Sequence, residues 1–176
     1  MELATHDDGT WSLNKLHELE KMMLEKIAEA ADPGENKAAE ERLYPPPLTG
    51  LEPEDDEKQL TDDWAEFVQP ELAEQFESAR DIVANDVLKI RRKRSKGSVH
   101  FHLSVPKAHA DHWCSALNQA RLVLHEQHQL PDQEDLADEE DRTELIDSEG
   151  KWMALLQSEI YGVIMEFLVT RVLWLK

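Results

Sequence analysis

From Ser98 to Val105 the chain alternates strictly, with Val99, Phe101, Leu103 and Val105 on one side and Ser98, His100, His102 and Ser104 on the other. That is the two-residue period of a half-buried strand, and a lone strand cannot satisfy its own backbone groups. It needs a partner. The nearest candidate is Ile90 to Ser95, folding back through Lys96-Gly97, where the glycine supplies the positive φ of a tight hairpin.

The rest of the periodic sequence is helical. Ser12 followed by Leu13, Leu16, Leu19, Met23, Leu24 and Ile27 has three-and-four spacing and predicts an amphipathic helix, closed by Asp32-Pro33-Gly34. A short helix over Ala38 to Leu43 runs into Tyr44-Pro45-Pro46-Pro47, where three prolines cannot continue it. Thr61 reads as the N-cap of a helix over Asp62 to Val68, and Pro70 as the start of a longer one with Leu72, Phe76, Ala79, Val83, Val87 and Ile90 in one stripe. Pro106 opens a further helix whose stripe is Ala110, Trp113, Leu117, Ala120 and Leu124, ending before Pro131. Trp152 to Leu175 is the most apolar helix, with large residues on more than half its circumference, which calls for a central position or a contact with a second copy. The expectation is one mostly α domain over residues 1–176, five or six helices plus a small β-hairpin packed on the Pro106 to His128 helix. Two acidic connectors, 44–60 and 131–149, interrupt it, the second with a short turn of helix at Glu144 to Ile146.

Charge is distributed unevenly. The net charge is −19, yet Lys89, Arg91, Arg92, Lys93, Arg94, Lys96 and Lys107 form an island without a single Asp or Glu. The chain before the island carries −17 and the chain after it −9. Such acidity opposes broad binding to nucleic acid or anionic membrane, because long-range repulsion works against encounter. The island itself has two readings. Arg91, Arg92, Lys93, Arg94 and Lys96 are candidate contacts for an acidic partner or a phosphate, or else they neutralise the protein's own acidic helices. Phe101 is the one aromatic nearby and falls on the buried side of the alternation, so a stacking platform for single-stranded nucleic acid is missing.

Catalytic patterns are absent. Six of the eight histidines lie between His100 and His128, but on one helix the pair His109 and His112 and the pair His125 and His128 point in different directions, so a metal site would need strand and helix to meet. No Glu-x-x-His, His-Glu-x-x-His or Cys-x-x-Cys occurs. The six glycines are too scattered for a phosphate loop. Cys114, the single cysteine, sits two turns into a predicted helix on the shoulder of its stripe, which favours a small core residue over a nucleophile, and it precludes an internal disulfide. The N-terminal residues have neither the basic nor the apolar region of a signal peptide, and Ile160 to Leu175 is broken by Glu166 and Arg171 and shorter than the roughly 20 residues a membrane span needs. A cytoplasmic protein with no membrane contact is expected.

The run Trp113-Cys-Ser-Ala-Leu117-Asn118-Gln-Ala-Arg121-Leu122-Val-Leu124 resembles the signature of DUF2017, a bacterial family without assigned activity: Trp, three residues, Leu-Asn, two residues, Arg-Leu. The similarity runs from about Val99 to the C-terminus and more weakly before Trp64. Gln119 stands where the family has an acidic residue, and His125 where it has Gly. The resemblance implies a mostly α cytoplasmic domain and no particular chemistry. Within it, Asn118 and Arg121 share one side of the helix and read as a structural polar pair, Asn118 serving a backbone group and Arg121 a carboxylate such as Glu159 or Glu166. No catalytic residue, metal or cofactor is expected. The leading functional reading is a non-catalytic regulatory or protein-interaction domain with a protein partner and a weak homodimer as a second state; nucleic-acid or phosphate binding through 89–107 is the alternative, and a metal-dependent enzyme using the histidines the third.

Overall fold

The structure is a computed structural model that describes residues 1–47, 55–95, 97–131 and 149–174. The expected acidic loop after Pro131, with its turn at Glu144 to Ile146, lies outside the described residues up to 148, as do 48–54 of the first connector and Lys96 of the hairpin turn. In chain order the elements are β1 (Glu2–Thr5), β2 (Thr10–Leu16), α1 (Glu18–Glu25), α2 (Ile27–Ala30), α3 (Lys37–Leu43), α4 (Asp55–Asp63), α5 (Gln69–Val87), β3 (Arg91–Ser95), β4 (Ser98–Pro106), α6 (Ala110–His128) and α7 (Glu149–Phe167). The fold is mostly helical with a small sheet, as expected.

The hairpin forms where the alternation places it, with Arg92 opposite Phe101, Lys93 opposite His100, and Gly97 at φ +85° in the turn. It is half of the sheet. β1 and β2 make a second hairpin, and the antiparallel order is β1-β2-β4-β3, with Trp11 opposite Val105 and Leu13 opposite Leu103. This corrects the helix expected from Ser12 to Ile27, of which only the part from Glu18 is helical. The cause is a β-bulge between Leu13 and Leu16, where Lys15 takes φ +52°. Trp11 and Leu13 keep a spacing of two; the extra residue then stretches the next inward step to three and imitates a helical interval.

A second correction concerns Thr61, which lies inside α4 rather than capping a later helix. One helical run extends from Asp55 to Val87 through a wider π turn at Trp64–Val68, closed by the Gln69 N–H to the Trp64 carbonyl. The wide turn lets Pro70, which has no N–H to give, follow without ending the run. α3 begins at an Asn36 cap that accepts from the Ala39 N–H and ends before the prolines, as expected.

The main core joins the inner sheet face (Trp11, Leu13, Leu16, Leu103, Val105) to Leu24 and Ile27, to Val83 and Val87 of α5, to the α6 stripe, and to Tyr161, Ile164 and Leu168 on or just beyond α7. Trp11 and Trp113 meet edge to face at 5.2 Å, which ties the sheet to α6. A smaller cluster of Ala39, Leu43, Tyr44 and Val123, with Trp64, Leu72 and Phe76 against it, fixes α3 across α5 and α6. α7 packs along α6, its Tyr161 hydroxyl donating to the Met23 carbonyl at 2.6 Å. The stretch Gly150–Leu173 is long and apolar enough to cross a membrane by length and composition alone, but Tyr161, Ile164, Leu168 and Val172 are buried in the core while Glu159, Glu166 and Arg171 are exposed.

Candidate functional site

The basic island divides into two parts. Lys89 turns inward to Asp86, its Nζ 2.7 Å from Oδ1. Arg91, Arg92, Lys93 and Arg94 occupy β3, an outer strand of the sheet, all four exposed, and none of their side chains forms an ion pair or hydrogen bond among the described residues. Strand alternation puts Arg91 and Lys93 on the outer sheet face beside His102 and His100, and Arg92 and Arg94 on the opposite side beside Phe101 and Val99. Both sides of the ribbon are cationic. Among Lys89 and the four β3 cations, an intramolecular carboxylate partner is found for Lys89 alone within the described residues.

The outer sheet face carries a polar network. His6 Nε2 lies 2.7 Å from Ser12 Oγ, Asn14 Nδ2 donates to the same hydroxyl at 2.8 Å, and Asn14 Oδ1 lies 2.6 Å from His102 Nδ1. Burial, and then the positive Lys93, His6 and Arg91, hold His102 below the ordinary imidazole range. His100 stacks edge-on against His17 at 5.4 Å. His109 turns to Asp86 of α5, His112 lines a separate cleft between α5 and α6, and His125 is on the last turns of α6. The fold thus disperses the histidines, and among the described residues no group of three His, Cys, Asp or Glu could hold a metal ion. Burial, and to a lesser extent Asp111, pushes the Cys114 thiol up to about 11, so it is not a ready nucleophile at neutral pH.

Two buried polar residues carry more structure than the sequence reading assigned them. Asp86 is 1% exposed and receives Lys89, His109 Nδ1 at 2.7 Å and the Trp113 indole N–H at 3.1 Å. Its burial opposes ionisation, but these bonds prevail and hold the carboxyl below its usual range. A carboxylate between Val83 and Val87 on an apolar stripe was the available signal. Gln119, likewise 1% exposed, accepts from Arg80 Nη1 at 3.0 Å and donates to Ser115 Oγ and the Phe76 carbonyl. An acidic side chain at that position would face the same guanidinium.

Asn118 and Arg121 do lie together on α6, but with different surroundings from those expected. Asn118 is exposed, and its side chain makes no hydrogen bond among the described residues. Arg121 reaches α7 at Gly162 rather than at Glu159 or Glu166: a Cβ on Gly162 would sit 3.6 Å from the guanidinium carbon. Both glutamates are exposed on α7, and neither pairs with Arg121. Arg121 Nε is buried without a hydrogen-bond partner among the described residues.

These features define a mostly helical domain built on a four-stranded antiparallel sheet with a cationic outer strand. The chain belongs to DUF2017, a family defined as a domain of unknown function, whose model matches residues 2–172. The similarity noted from Val99 onward thus extends through the N-terminal hairpin. No curated protein and no solved structure matches it.

Proposed function

We propose that this domain is a non-catalytic, cytoplasmic regulatory or protein-interaction module that docks an acidic protein segment on the β3–β4 hairpin. The observation that carries the reading is the run Arg91, Arg92, Lys93, Arg94, exposed and unneutralised among the described residues in a chain of net charge −19. Four cations cost the folded state little in solvent, and they discourage indiscriminate pairing along an exposed strand edge. An acidic extended segment meets no such barrier, gaining both the free backbone groups of β3 and its charges.

The second reading, phosphate-backbone binding, draws on the same four side chains. It is opposed by the acidity of the remaining surface and by the half-buried position of Phe101. Fluorescence anisotropy with a Glu/Asp-rich 12-residue peptide and a 20-base-pair duplex separates the two. The peptide should bind, and should be lost from the variant carrying Gln at 91, 92, 93 and 94 while the melting temperature stays within a few degrees. Tighter, steeply salt-dependent duplex binding would favour the second reading, and no binding of either probe would remove both.

A further inference from the structure

We propose that the cleft lined by Arg42, Asn118, Arg121, His125 and Gln129 is a binding site for a small oxyanion, a phosphate ester or a carboxylate, held by the Arg121 guanidinium. The cleft encloses about 530 Å³ between the end of α3 and the C-terminal half of α6, within the size range of small-molecule sites. It is separate from the hairpin.

The argument starts from the charge of Arg121. A guanidinium stays protonated at every physiological pH, so its compensation must come from an anion, a dipole or water. Among the described residues no anion pairs with it. Among the described residues the one carboxylate lining the cleft is Glu126, 3.9 Å from Arg42 Nε. The helix dipole acts within the last turn, and Arg121 is seven residues before the end of α6. Nε is buried against Gly162 without a hydrogen-bond partner among the described residues, so that edge of the guanidinium gains no compensation, and the remainder of this half-buried residue, which lines the cleft, is the part that can meet a ligand. Folded proteins seldom leave a charged donor in that condition, and an oxyanion is the group whose geometry matches a guanidinium.

The neighbours suit the same class of ligand. Arg42, 62% exposed, adds a second guanidinium. Asn118 and Gln129 are exposed and bring amide donors to the rim. Lining of this kind favours a compact, strongly charged molecule over an apolar one.

The test is thermal unfolding of the whole protein, titrated with inorganic phosphate and separately with succinate, each against sodium chloride at matched ionic strength. At least one should stabilise saturably beyond chloride. Phosphate alone doing so assigns a phosphate ester, and succinate alone a carboxylate. Arg121→Gln should weaken the effective probe at least tenfold, and Arg42→Gln at least threefold. If Arg121→Gln fails to fold by circular dichroism, Arg42→Gln carries the test together with shifts of the Asn118 and Gln129 side-chain amides in nitrogen-proton spectra. The proposal is overturned if neither probe exceeds chloride, if the folded cleft variants bind as well as wild type, or if binding is lost in the hairpin Gln variant and retained in them.

Discussion

Asp86 is bound by groups from three directions, and its removal would leave a buried indole N–H without an acceptor. Asp86→Ala should cost about 3 kcal/mol, since bonds to a charged acceptor and one orphaned donor are lost together. Chemical denaturation measures this. Gln119→Leu, which strips Arg80 of its acceptor, should cost about 1–3 kcal/mol. Acid sensitivity follows from the direction of two shifts. Because the folded pKa of Asp86 is depressed below its ordinary 3.8, its contribution is complete above that value and is lost as pH falls through the lower folded one. His102, depressed below 6.5, obeys the same sign in a higher window: the unfolded chain takes up protons first, so stability declines as pH falls below about 6.5. Melting temperature against pH should show both declines, the upper one absent in His102→Gln and the lower one reduced in Asp86→Asn. Identical profiles for all three proteins would contradict this assignment. Neither residue was identifiable as a hub in the sequence, because periodicity marks which side chains turn inward and not which polar groups meet there.

At the level of elements, legibility depended on how regular each one is. α6 and β4 keep a single period throughout, so their pattern alone puts Trp113, Leu117 and Ala120 in the core and Leu103 and Val105 on the inner sheet face, where they are buried. β2 and the Asp55 to Val87 run each contain one irregular step, and each was misread at that step. The bulge can be tested. Lys15 sits at φ +52°, a conformation that Asn tolerates and a β-branched side chain strongly resists. Lys15→Val should therefore be less stable than Lys15→Asn by about 1–2 kcal/mol. The ion pair to Glu2, exposed on both sides, is lost in both variants and cancels in the comparison. Equal stabilities would mean that the bulge is not a fixed feature of the folded protein.

On the scale of the molecule, α7 takes the first of the two positions its composition called for, the central one, with Tyr161 and Ile164 buried in the core. Trp152 and Val163 on α7, and Val169 and Trp174 just beyond it, are nevertheless exposed. We propose a weak dimer as a second state that covers these side chains, in which case light scattering should show a mass that rises with concentration in the micromolar range. Trp152→Glu combined with Val163→Glu should return it to the monomer without lowering the melting temperature. A concentration-independent monomeric mass for the wild type would exclude the dimer.

The pairing of β2 with β4 was out of reach of local periodicity, since it joins residues some ninety positions apart. That separation also sets an order of events during synthesis. A chain leaving the ribosome presents Trp11 and Leu13 long before Leu103 and Val105 exist to receive them, so the opening hairpin must wait, uncovered, while the intervening helices emerge. Folding of this mostly helical protein is consequently timed by a late β-pairing, slower than for a bundle of local helices, and the waiting segment is where a chaperone would be needed first.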